Sequence, residues 1–143
     1  MILPDVNVLV YALRAGTPRH EDFRAWLESV VSGPGSFALS ELVLSAVVRI
    51  LTHPGIFVSP NSVSDVLARL DQLRGRANCV LISPGPRHWE IFTGLCTSAG
   101  AKGNLIPDAY LAALAIESGS EWITTDRDFA RFPGLKWRHP LVT

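Results

Sequence analysis

Cysteine is nearly absent from this 143-residue chain: Cys79 and Cys96 stand alone, with no Cys-x-x-Cys pair and no histidine at metal-ligand spacing. That excludes a disulfide-stapled scaffold and a thiolate zinc site, and leaves the expectation of two buried thiols in a reduced compartment. Net charge is also missing, with 13 Lys+Arg against 13 Asp+Glu. A neutral total excludes bulk attraction to nucleic acid or acidic lipid, so any polyanionic partner must be held by a local patch. Lysine occurs only at 102 and 136, and the remaining basic residues are arginine. No apolar run approaches the roughly 18 residues of a membrane helix. The apolar N-terminal stretch lacks a basic flank and is interrupted by Asp5 and Asn7, unlike a signal peptide. The expectation is a cytoplasmic protein with no membrane partner.

What the chain does have is a high apolar content, 48%, and regular punctuation. No repeat, low-complexity tract or linker divides it, so one domain over residues 1–143 is expected. Gly/Pro breaks at 32–35, 53–55, 83–86, 100–104 and 133–134 separate short apolar runs from longer helical patterns. Ile2-Leu3, Phe37–Leu39, Cys79–Ile82 and Trp122–Thr124 read as strands, the third of them buried, with Lys136–Arg138 as an edge strand. Helices are expected over Val8–Leu13, His20–Val31, Glu41–Thr52, Ser62 to about Gly75, Arg87–Ser98 and Pro107–Ser118. Ser40 and Ser62 are placed as N-caps, the latter in a Ser-x-x-Asp capping box. Short strands alternating with helices give an α/β fold with a mostly parallel sheet. In such folds sites form beyond the carboxyl ends of the strands.

The acids fall at those ends. Asp5 closes the first strand, Glu41 follows the second, and Asp126 follows Trp122–Thr124 with Asp128 two residues on. Asp108 opens a helix that carries no other charge before Glu117. Each has a structural explanation as well: Asp5 as a helix cap, Glu41 and Asp108 as acids favoured in a first turn, Asp126 and Asp128 as turn residues. Together, four carboxylates at one sheet edge repel one another unless a cation offsets them. All-oxygen ligation selects a hard ion, Mg²⁺ or Mn²⁺, and suits phosphodiester hydrolysis.

On these residues the sequence resembles the PIN-domain ribonucleases, in particular the VapC toxins of bacterial toxin–antitoxin pairs. The matching motifs are Leu3-Pro4-Asp5-Val6-Asn7, Ser40-Glu41-Leu42, Pro107-Asp108-Ala109 and Thr124-Thr125-Asp126-Arg127-Asp128-Phe129, in that order along nearly the whole chain. The resemblance implies a PIN-like α/β/α sandwich with a mostly parallel central sheet. It implies a Mg²⁺ or Mn²⁺ site at Asp5, Glu41, Asp108 and Asp126, with Asp5 and Asp108 as direct ligands. By the same resemblance Thr124 holds a neighbouring carboxylate, Asn7 and Asp128 stand behind the ligands, and the activity is cleavage of single-stranded or loop RNA. The implied partners are RNA, a cognate antitoxin and a second copy of the chain, with His20–Ser32 and Ser62–Gly75 as the contact surfaces.

Arg127, beside Asp126, is a candidate contact to substrate, with Arg131, Lys136, Arg138 and His139 near it in sequence. Trp89, Trp122 and Trp137 read as core or interface, and the four histidines as surface polar residues. Two other classes share the strand-then-aspartate opening. A haloacid-dehalogenase-type phosphatase needs a second aspartate where this chain has Asn7. A receiver-like module needs a lysine after a late strand, which Trp122–Asp126 does not offer. A catalytically silent antitoxin-binding module is the remaining alternative.

Overall fold

The computed structural model describes residues 1–142. Its five strands, β1 (Ile2–Pro4), β2 (Phe37–Ser40), β3 (Cys79–Ile82), β4 (Glu121–Ile123) and β5 (Trp137–Arg138), pair only in parallel, in the order β3-β2-β1-β4-β5. The helices are α1 (Val6–Leu13), α2 (His20–Val31), α3 (Glu41–Leu51), α4 (Val63–Arg74), α5 (His88–Ser98) and α6 (Leu105–Ser118). A 3₁₀ turn covers Arg127–Arg131. The helices pack in two groups, α1 with α2 and α3 and α3 with α4, and separately α5 with α6. The result is the expected α/β/α sandwich, with a sheet that is parallel throughout.

The three inner strands supply five of the large, fully buried side chains, Leu3, Phe37, Leu39, Trp122 and Ile123. Strands covered on both faces read as continuous apolar runs, which is how these appear in the sequence. Helix α6 lies close on this layer because Ala109, Ala112, Ala113 and Ala115 are buried and small. It stops where Gly119 takes a left-handed conformation (φ 69°) and the Ser120 N–H reaches back to the Ala115 carbonyl at 2.9 Å. That closure ends the helix; Asp108 lies at its opposite end, in the first turn.

Several expectations need correction. Helix α1 starts at Val6 rather than Val8 because Asp5 caps it, accepting from the Val6 N–H. Helix α6 starts at Leu105, before Pro107; a proline in the first turn removes only an N–H that has no intrahelical partner. Ser40 occupies the N-cap position of α3 but makes no side-chain cap bond, whereas Ser62 does cap α4, accepting from the Asp65 N–H at 3.2 Å. Strand β3 is not buried: it is an edge strand, paired on one side, and Val80 and Leu81 are both exposed. Cys79 and Cys96 are half-buried free thiols. Trp89 is exposed, while Trp122 is core. His88 is not a surface residue but is buried against Tyr110 and Phe92, its Nε2 bonded to the Tyr110 carbonyl at 2.9 Å.

Candidate active site

β1 and β4 run side by side with Pro4 opposite Ile123, so the next residues, Asp5 and Thr124, leave the carboxyl edge together. The Thr124 hydroxyl donates to Asp5 Oδ2 at 2.7 Å, the Val6 N–H donates to Asp5 Oδ1 at 2.6 Å, and the Asp5 N–H donates to the Ile123 carbonyl at 2.8 Å. Thr124 also accepts from the Asp126 N–H at 3.1 Å, so one buried hydroxyl ties the two aspartate positions together. Asp126 in turn caps the 3₁₀ turn, accepting from the Asp128 N–H at 2.9 Å. Asp5 thus serves as the expected helix cap, and Asp126, expected as a turn residue, caps the 3₁₀ turn, while both line the same hollow.

That hollow, of about 510 Å³, is lined on one side by Asp5, Asn7, Asp108 and Asp126. Its other wall is apolar, with Tyr11, Ile50, Ile56 and Phe57. Asp5 is only 6% exposed. Burial pushes its pKa up to about 6, against the pull of the Thr124 and Val6 donors and with a further push from Asp108 and Asp126. Asp108 is raised too, first by burial and then by Asp126 and Asp128. Asp5 and Asp108 therefore sit where burial and neighbouring carboxylates disfavour their charge. Asn7 adds an amide oxygen, Oδ1, that is buried without a hydrogen-bond partner, an orphan acceptor of the kind that native structures satisfy with a water, an ion or a ligand.

Other predicted residues lie elsewhere. Glu41 is not brought to the aspartates. At the first turn of α3 it faces the last turn of α4, where its carboxylate pairs with Arg74 Nη2 at 2.9 Å. The pair lines a separate hollow with Ser45, Leu67 and Asp71. Asp128 is exposed, its Oδ1 3.9 Å from Arg131 Nε. Arg127 is exposed on the outer side of the 3₁₀ turn and lines a neighbouring hollow. The apolar wall went unread in the sequence. Its signal was the Ile56-Phe57-Val58 triplet inside a Pro/Gly-bounded segment; the fold brings Phe57 under the Arg14 guanidinium at 4.1 Å.

Among the described residues no three His, Cys, Asp or Glu side chains close a preformed cage around an ion. The donor set fits a cation held by one or two carboxylates with the rest of its shell as water, the habit of Mg²⁺, better than a fully caged ion. Asp5 and Asp108, with Asp126 and the orphan Asn7 oxygen beside them, are the groups able to hold it.

A parallel α/β/α sandwich with an aspartate-lined hollow at its carboxyl edge defines the class of α/β fold to which this chain belongs. The PIN domain family model matches residues 2–135, and the chain belongs to that family, among its VapC-type members. It is 41% identical over 141 residues to "VapC ribonuclease Mb2897" of Mycobacterium bovis, covering 99% of this chain and 96% of that one. It is 37% identical over 141 residues to "Ribonuclease VapC33" of Mycobacterium tuberculosis, covering 99% of each. Among solved structures, VapBC2 from Rickettsia felis, bound to a promoter DNA fragment, has the same fold with a TM-score of 0.69 at 23% identity, covering 97% of this chain and 98% of that one.

Proposed function

We propose that the chain is a divalent-metal-dependent endoribonuclease toxin, cutting single-stranded or loop RNA and held silent by a cognate antitoxin. The observation that carries this reading is the convergence of Asp5, Asp108 and Asp126 from three separate elements on one hollow, where burial and mutual repulsion raise the pKa of Asp5 and Asp108. The relatives' names support the RNA-cleaving activity. A bound Mg²⁺ or Mn²⁺ supplies charge neutralisation at the phosphate and a water of lowered pKa. The chain's own part is positional. Thr124 and the Val6 N–H lock the Asp5 carboxylate in one rotamer, Asp108 faces it from the start of α6, and Asp126 takes its orientation from the Asp128 N–H. Asn7 offers a neutral acceptor able to orient a water without adding negative charge. The apolar wall of Tyr11, Ile56 and Phe57 gives a splayed base a surface to rest on.

Two surfaces support the partner assignments. Between α1, α2 and α4 runs a groove of about 640 Å³ with Leu13, Leu27, Val31 and Leu73 along its floor and Arg69 and Arg76 at its rim. It joins the two helices expected to meet partners, and its mixture of leucines with arginines and carboxylates suits an amphipathic antitoxin segment. Structural neighbours include VapBC assemblies. A second, almost wholly apolar hollow of about 430 Å³ is lined by Val6, Leu42, Phe92, Ile106, Tyr110 and Leu111. Exposed Leu42 and Trp89 enlarge that face, which favours a homodimer through α3, α5 and α6 rather than through α2 and α4.

The test is cleavage of a mixed tRNA and rRNA pool by antitoxin-free protein with Mg²⁺ or Mn²⁺, with EDTA, and with an identically prepared Asp108→Asn variant. Discrete fragments that need metal and vanish in the variant are expected, and their ends would identify the substrate. Fragments of equal yield from Asp108→Asn would sink the assignment.

A further inference from the structure

Asp126 divides two hollows. Its own side chain lines the aspartate hollow, while its chain neighbours Thr125 and Arg127 line a second one of about 450 Å³ with Trp137, Arg138 and His139. The two depressions therefore share one stretch of backbone but differ in charge. The first gathers carboxylates; the second gathers cations and contains none of the acids.

The cations of the second hollow are unequal. Arg138 is already neutralised by Glu121, Nε to Oε1 at 2.9 Å. Arg19, on the near side of α2, pairs with Asp22 at 3.1 Å. Arg127 makes no ion pair or side-chain hydrogen bond among the described residues. His139 uses Nδ1 to accept from the Leu141 N–H at 3.1 Å, and its ring packs on Phe23 with centroids 5.9 Å apart. That leaves Nε2 as the ring nitrogen that carries the proton. Both Arg19 and Arg127 bear on this ring electrostatically, adding to burial in holding its pKa below the ordinary histidine value. Arg19 reaches this position from a left-handed backbone (φ 54°), the one non-glycine residue with positive φ among those described. A side chain in that region persists only where its surroundings impose it.

An unpaired guanidinium, a ring N–H and a tryptophan line one hollow beside the Asp126 carboxylate, a set suited to an anion with an aromatic body. We propose that this hollow is a nucleotide subsite: Arg127 and the His139 Nε2–H hold a phosphate of the RNA strand next to the one at the aspartates, with the Trp137 wall beneath its nucleoside. This rests on the ribonuclease reading and deepens it. Anchoring a neighbouring phosphate fixes the register of the strand, and so decides which linkage reaches Asp5 and Asp108.

The experiment is fluorescence anisotropy with a labelled single-stranded RNA of mixed sequence, titrated at several salt concentrations. It uses the cleavage-silent Asp108→Asn chain as parent, so binding is read without hydrolysis. Adding Arg127→Gln is expected to weaken binding severalfold and to reduce the salt slope by about one, as for loss of a single phosphate contact. Arg127→Lys retains the charge and is expected to restore the slope. His139→Gln should weaken binding with little change of slope. Arg87→Gln, near the far end of α6 and roughly 13 Å from Asp108 by helix rise, serves as the control and should match the parent. An Arg127→Gln curve that overlays the parent at every salt overturns the proposal. So does a variant that binds RNA normally yet loses affinity for antitoxin, which would make the hollow a protein contact. If wild-type protein fails to cleave but Arg127→Gln still changes the slope, the ribonuclease reading falls and the subsite stands.

Discussion

At Asp5 the fold sets a carboxylate between two donors, the Val6 N–H and the Thr124 hydroxyl, and still leaves its pKa at about 6, above the ordinary 3.8. Burial outweighs both bonds, and Asp108 and Asp126 add to it. The folded state therefore holds this proton more tightly than the unfolded chain does. The stabilising contribution of the protonated form is complete below about pH 4 and is lost as the pH rises through about 6, at an eventual cost of about 3 kcal/mol. In metal-free protein, Asp5→Asn is expected to raise unfolding free energy by about 1–3 kcal/mol at pH 8. The gain should shrink toward pH 4, as read by denaturant titration at each pH. An equal gain at both ends of the range would show that Asp5 is not the titrating group. Thr124→Val tests the same balance from the other side. Losing the Thr124 bond should lift Asp5 further, so in metal-free protein the pH-dependent loss of stability is expected to extend to higher pH, as read by denaturant titration.

Helix α4 buries Val66 and Leu70 in the core and is tied at three further points by side-chain bonds. Ser62 caps its first turn, Arg69 donates to the Leu13 carbonyl at 2.6 Å, and Arg74 pairs with Glu41. Ser62→Ala is expected to cost about 1 kcal/mol in denaturant unfolding with cleavage retained. Glu41→Gln removes an exposed pair, so stability should fall by less than about 1 kcal/mol. Cleavage is expected to persist, because Glu41 stands in another hollow; loss of activity equal to Asp108→Asn would return it to the site. Helix α2 appears with its bounds intact because Phe23 and Leu27 mark a buried stripe while Glu21, Asp22, Arg24 and Glu28 stay outside. Asp5, Asp108 and Asp126 were legible because strand ends and a helix start are local signals. The direction in which Glu41 points was not, since it depends on Arg74, 33 residues away. Likewise the apolar run Cys79–Ile82 is identical for a central and an edge strand; only the pairing order decides. The apolar wall at Ile56 and Phe57 comes from a segment with no periodicity to read.

Across the whole molecule, the proposed cation site lies on three aspartates, and the proposed RNA path crosses from an acidic hollow to a basic one over Asp126. Chain-wide neutrality is consistent with this, because the two charges are segregated locally rather than summed. The most direct measurement is Mn²⁺ binding, followed by the electron paramagnetic resonance of the free ion during titration of metal-free protein. Wild-type chain is expected to bind the ion, with affinity weakened about tenfold or more by Asp5→Asn or Asp108→Asn. Glu41→Gln should bind as wild type does. Equal binding by all four proteins, or a loss in Glu41→Gln as large as in Asp108→Asn, would contradict the three-aspartate site.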